Sequence, residues 1–165
     1  MIKDLQYVKN RQKEFLEHLK DTKGYFYQEC NFNVPYWLIL ALQTELSEIA
    51  NAKKVHKWWD DEAVDEKHVL EECSDFLAHL GNLANFLNVD MIINTEDIQV
   101  TAVEVTFNRL AYQITTLTMS KRFGRITFKT ILGLFVELIY SLGFNFDDLQ
   151  EAYNSKIEKN YIRFK

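Results

Sequence analysis

"QTELSEIANAKKVHKWWDDEAVDEKHVLEECSDF", residues 43–76, decides how this chain folds. Ten acidic side chains share it with regularly spaced apolar residues and two adjacent tryptophans. It reads either as a solvated, salt-bridged helical hairpin or as two helices that turn some of their carboxylates inward to hold a metal. The helical wheel separates these readings. With Leu38 at zero and about 100° per residue, Leu42 and Ile49 mark a buried stripe, Glu45 falls inside it and Glu48 lies at its edge. On the next helix, with Val69 at zero, Cys73, Phe76, Leu80 and Leu87 centre the stripe. Glu72 and Asp75 run along one side of that stripe, while Glu71 falls opposite. Two acid pairs spaced i,i+3 therefore face the seam between helices that a short connection, "VHKWWDDEAVD", makes antiparallel neighbours. Like charges gathered on an apolar face repel strongly when desolvated and call for cations. Mg²⁺ suits such a set because it takes carboxylate oxygens and bridges protein to phosphate. Asp60, Asp61, Glu62, Asp65, Glu66 and Glu71 are expected to be solvated.

Working outward, the apolar periodicity predicts further helices. Ile2, Leu5, Val8, Phe15 and Leu19 outline a first helix over 2–20. Asn33 and Pro35 open the second, over about 34–54, with the proline in its first turn; the third spans 66–87. A fourth is expected over 96–118. A fifth is expected over 127–142 after a break at "SKRFGR". Asn145 caps a last helix ending near Tyr161. The result is an all-α helical bundle whose central antiparallel pair carries the acidic motifs. Residues 1–165 are expected to form one domain.

Composition agrees. A 47% hydrophobic fraction supports a real core, and one proline with five glycines disfavours turn-dense β architecture. The net charge of −5 and the lack of a dense basic stretch argue against a nucleic-acid polymer as partner. An acidic protein that binds a nucleotide needs divalent cations to bring the charges together. Cys30 and Cys73 are too few for a disulfide scaffold or a cysteine zinc site, which fits a reducing, cytoplasmic setting. The opening "MIKDLQYVKNRQ" has no signal-peptide core, and no run is long enough for a membrane span.

The spacing of "ELSE" and "ECSD" resembles the ExxE…ExxD pattern of the dimeric all-α dUTPase family, relatives of the MazG-type nucleoside triphosphate pyrophosphohydrolases. The resemblance implies that Glu45, Glu48, Glu72 and Asp75 bind Mg²⁺, with Glu48 orienting or deprotonating the attacking water. "ELSEIANAKKVHKWW" is similar to a family phrase in which a lysine and a tryptophan, here Lys57 and Trp59, lie near the substrate, the aromatic against base or sugar. "KIEKNYIRFK" resembles the closing motif and supplies Lys156, Asn160 and Arg163, spaced i, i+4, i+7 on one face and suited to phosphate oxygens. Phe164 stands where the motif has glutamine. Gln12 resembles a family glutamine near the base. His79 lies one residue beyond the family's usual histidine position and reads as a satisfied helix-edge residue. The resemblance implies a homodimer that hydrolyses dUTP to dUMP and pyrophosphate. A sibling acting on dCTP or another nucleoside triphosphate and a non-catalytic interaction protein on the same fold are the alternatives. A di-iron bundle would want ExxH motifs, which neither acid pair provides.

Overall fold

The computed structural model describes residues 1–25, 33–96 and 98–165. Among these the chain forms β1 (Ile2–Asp4), α1 (Gln6–Lys23), α2 (Tyr36–Lys53), α3 (Glu66–Leu87), β2 (Ile92–Asn94), α4 (Val103–Thr116), α5 (Lys121–Ser141) and α6 (Phe146–Arg163). The reading of Cys30 falls outside the described residues.

Helix α3 is the axis of the bundle and packs against α1, α2, α5 and α6. Its sequence explains why. Val69, Cys73, Phe76, Leu80, Leu83 and Leu87 recur at three and four residues and are all fully buried. Phe76 stacks on Phe135 of α5 with ring centroids 4.9 Å apart. The Asp65 carboxylate caps the start of α3 by accepting from the backbone N–H groups of Lys67 and His68, so this acid is an N-cap as well as a surface charge. Helices α2 and α3 run antiparallel. Lys53, at the end of α2, pairs with Glu66, at the start of α3, at 2.5 Å. Farther back along α2, Glu45 meets His79, farther on in α3.

Several boundaries depart from the sequence expectations, each for a local reason. Residues 2–4 are a strand rather than helix: Ile2, Lys3 and Asp4 pair antiparallel with Asn94, Ile93 and Ile92. Ile2 is consequently exposed and does not belong to the apolar face of α1. Pro35 is the N-cap of α2 instead of a first-turn residue, its carbonyl accepting from Leu38 and Ile39. Helix α4 begins at Val103, not 96. "SKRFGR" is no break, because Ser120 caps α5 through the Phe123 amide and Gly124 lies inside the helix. A Cβ at Gly124 would sit 3.2 Å from Leu87 Cδ2, so glycine here permits close packing of α5 on α3.

The connection between α2 and α3 also has order that periodicity does not reveal. Lys54 ends α2 in the left-handed conformation, at φ 60°. Its Nζ donates to Asp60 Oδ1 at 2.8 Å and to the carbonyl and Oε2 of Glu62. The same Asp60 oxygen accepts from the Glu62 amide. Asp60 is therefore a partly buried loop anchor, contrary to the expectation that it is solvated.

Candidate metal centre and active site

Antiparallel packing brings the two acid pairs together. Glu45 from α2 and Glu72 and Asp75 from α3 each place a carboxylate oxygen within 4.8 Å of the others. All three are partly buried. Glu48, one turn beyond Glu45, is more exposed and lies close enough to Glu45 and Glu72 for both to raise its pKa. Glu71 points away and pairs with Lys159 at 3.5 Å, as the wheel required.

Charge strain in this cluster is visible in the protonation equilibria. Burial raises the pKa of Asp75, and the Lys156 hydrogen bond and charge only partly offset this. Burial, then the charge of Asp75, raises Glu72. Burial, then the charge and hydrogen bonding of Glu45 followed by Glu72, raises Glu48. Glu45 is the exception. Burial pushes it up as well, but hydrogen bonding and charge from His79, aided by Glu48 and Lys156, hold it below its ordinary value. A set of crowded, oxygen-only ligands that favours protons in three of its four members suits a hard divalent cation, which would reverse the pressure on each acid. Glu45 Oε2, buried and without a hydrogen-bond partner, is a ligand atom left over for it.

From α6, Lys156 reaches into the cluster and donates from Nζ to Asp75 Oδ2 at 2.6 Å. Burial works to lower the Lys156 pKa, but the hydrogen bond and charge of Asp75 prevail and raise it, so it stays an ammonium. A groove of about 320 Å³ beside it runs between α3 and α6 and is lined by Lys67, Glu71, Lys156 and Lys159 among others. On the other side, a cavity of about 460 Å³ opens at Glu48 and Glu72, walled by Lys54, Glu62, Asp65 and His68.

The remaining residues picked out from the sequence lie around this centre in different states. Asn160 and Arg163 continue the Lys156 face of α6, with Arg163 exposed and its guanidinium 5.2 Å from the Phe164 ring centroid. Trp59 is exposed at the α2–α3 connection, where its ring meets Trp58 edge-on at a centroid distance of 5.7 Å. Lys57 is partly buried in the same connection, and its charge helps lower the pKa of Asp60 after the larger effects of Lys54 and the Glu62 amide. Gln12 is buried and donates from Nε2 to the Tyr153 hydroxyl at 3.0 Å, tying α1 to α6. His79 differs from its sequence reading: Nε2 lies 3.6 Å from Glu45 Oε1, but the buried Nδ1 has no partner. Its position four residues after Asp75 was the available signal, since that spacing keeps both on one helix face.

A family model described as dUTPase matches residues 4–165. The chain belongs to the all-α dUTPase family. This dUTPase is thus a nucleoside triphosphate pyrophosphohydrolase, a dUTP diphosphatase, and its acidic cluster is a candidate site for the divalent metal the family uses. No curated protein and no solved structure gave a significant match to the dUTPase chain. Among the described residues no single helix is long and apolar enough to cross a membrane.

Proposed function

We propose that this dUTPase hydrolyses the bond between the α and β phosphates of dUTP, releasing dUMP and pyrophosphate, with Mg²⁺ held by Glu45, Glu48, Glu72 and Asp75. The observation that carries this reading is the convergence of carboxylate oxygens from α2 and α3 to within 4.8 Å. Mg²⁺, when bound, supplies charge neutralisation for the triphosphate and acidifies a coordinated water. Glu48, the most solvent-accessible of the four, orients the attacking water and takes its proton on a carboxylate oxygen. A raised pKa suits that role, because a base works best when its pKa approaches the working pH.

Lys156, held at the cluster by Asp75, donates to phosphate oxygens as negative charge shifts toward the leaving pyrophosphate. Asn160 and Arg163 extend the same helix face and clamp the phosphates farther out. Trp59 offers a flat apolar surface to the base or sugar, with Lys57 beside it.

The test is a comparison of dUTP, dCTP, TTP and dATP hydrolysis with and without Mg²⁺, for the wild type and for Glu48→Gln. Turnover is expected to be greatest with dUTP, to need the cation, and to fall about 10²–10⁴-fold in Glu48→Gln. Preference for another base would remove uracil from the reading, and wild-type turnover by Glu48→Gln would remove the base role.

A second copy of the chain completes the proposal. Tyr36 and Leu40 on α2 and Tyr112 on α4 are each more than 60% exposed on two helices that contact one another. Aromatic and aliphatic side chains of this kind favour an interface. Sedimentation of a homodimer that Leu40→Lys converts to monomer is the expected outcome. The setting is cytoplasmic.

A further inference from the structure

The last turn of α6 is fastened to α1 by contacts that lie apart from the acidic cluster. Phe164 is the C-cap of α6, its N–H donating to the Asn160 carbonyl at 3.0 Å. Its own carbonyl accepts from His18 Nε2 of α1 at 3.1 Å. Its ring meets the buried Phe15 of α1 edge-on, with centroids 6.1 Å apart. Phe15 and His18 also hold the Tyr161 ring, each at a centroid distance of 5.1 Å. Farther on, Lys23 Nζ donates to the Lys165 backbone oxygen at 2.8 Å. Phe15 and His18 are spaced i,i+3 and share a face of α1, as Tyr161 and Phe164 do at the end of α6. The four rings therefore interlock across the seam between the helices.

One charged group rests on this aromatic lock. The exposed Arg163 guanidinium lies over the Phe164 ring, 5.2 Å from its centroid. A cation over a ring face is held without spending its N–H donors, which stay available to phosphate oxygens. Arginine carries much rotamer freedom, and a side chain already held against a ring loses less of it on binding a ligand. Phe164 stands where the closing motif has glutamine. Phenylalanine has no side-chain donor or acceptor to offer a phosphate, so at this position it acts only through a neighbour.

We propose that Phe164 is a positioning residue: fixed on α1 by Phe15 and His18, its ring keeps the Arg163 guanidinium preorganised for the outer phosphates of the substrate. The inference rests on the phosphate-clamping role given to Arg163 above.

The experiment measures binding of pyrophosphate with Mg²⁺ and of dUMP by calorimetry, together with dUTP turnover. The proteins are the wild type, Arg163→Met, Phe164→Leu, Phe164→Tyr and the double variant Arg163→Met/Phe164→Leu. Arg163→Met is expected to weaken pyrophosphate binding at least about tenfold, as loss of a charge-assisted contact does. Phe164→Leu is expected to weaken it about 2–5-fold, as loss of one exposed cation–π contact does. It should raise KM for dUTP by a similar factor with little change in kcat, and leave dUMP binding as in the wild type. Phe164→Tyr keeps the ring face and should match the wild type. The double variant should bind pyrophosphate no more weakly than Arg163→Met. His18→Leu, which removes the tether and keeps Phe164, takes the place of Phe164→Leu should that variant fail to fold, with the same expected loss. Unchanged pyrophosphate binding in Phe164→Leu, losses that add in the double variant, a Phe164→Tyr as weak as Phe164→Leu, or equal weakening of dUMP and pyrophosphate would overturn the assignment, while wild-type dUTP turnover left the proposed function standing. A wild type without dUTP turnover, but with a Phe164 effect that depends on Arg163, would do the reverse. Unchanged pyrophosphate binding in Arg163→Met, or none in the wild type, would overturn both the assignment and the clamp.

Discussion

Lys156→Met tests the electrostatics of the centre without erasing the packing of the lysine stem, since methionine keeps most of it. In the native protein Nζ donates to Asp75 Oδ2 at 2.6 Å, with the two side chains 32% and 21% exposed. Both are shielded enough for the pair to count for more than a surface ion pair. A charge-assisted hydrogen bond of this kind contributes about 1.5–3 kcal/mol, so the cation-free variant should melt lower by roughly 3–12 °C at about 2–4 °C per kcal/mol. The loss has a definite pH dependence. Burial already raises Asp75 even with Lys156 beside it, and removing the ammonium raises it further. An acid whose folded-state pKa lies above its unfolded value favours the folded state below the unfolded pKa and loses that contribution as pH rises through the folded pKa. The penalty of Lys156→Met is therefore smallest near pH ~3.5, below the ordinary Asp pKa of about 3.9, and larger near pH ~8. Added Mg²⁺ should restore much of the lost stability, because the cation takes over the compensating charge. Thermal melts with EDTA or Mg²⁺ at the two pH values measure this, with Lys159→Met as control. Lys159 is more exposed and meets Glu71 only at 3.5 Å, so its replacement should cost about 0–1 kcal/mol. A penalty in Lys156→Met that matched the control, or that ignored both pH and cation, would refute the reasoning.

Two further predictions address the scaffold. Gly81→Ala should destabilise by about 1–3 kcal/mol in chemical unfolding, because the new methyl meets Gln12, Val8 and the Val8 carbonyl oxygen at 2.9–3.3 Å. Thr106→Val should cost about 1.5–3 kcal/mol, since Thr106 donates at 3.0 Å to the buried Glu137 of α5, which Thr101 and Arg109 also contact. Equal stability of Thr106→Val and wild type by the same measurement would show that the hydroxyl is dispensable for anchoring α4 on α5.

Much of the bundle was legible because its determinants are local. The stripe from Val69 to Leu87 repeats every three or four residues whatever it packs against, and the same wheel separates Glu72 from Glu71. It placed Glu45 inward and Glu48 at an edge, and the structure finds the same order of exposure. Lys156 lies one turn before Asn160 and two before Arg163, so the sequence alone sets them along one side of a helix. Capping was legible at Asn145, whose side chain accepts from Asp147 and Asp148 in a capping box. At Ser120 the cap is masked, because the interior glycine of "SKRFGR" reads as a break.

Tertiary packing decided the rest, because the partners are distant in sequence. Three-residue strands such as β1 and β2 carry too little pattern to identify, and their pairing joins residues some 90 positions apart. The Glu45–His79 contact, the Lys156–Asp75 bond and the Gln12–Tyr153 bond arise only when separate helices are brought side by side. His79 illustrates the division most clearly: its place on the Asp75 face follows from the helical repeat, whereas the burial of its Nδ1 without a partner is set by the helices around it. Periodicity determined which side chains turn toward a neighbouring helix, and the folded bundle determined which of them meet a charge, a hydrogen bond or an unfilled polar position.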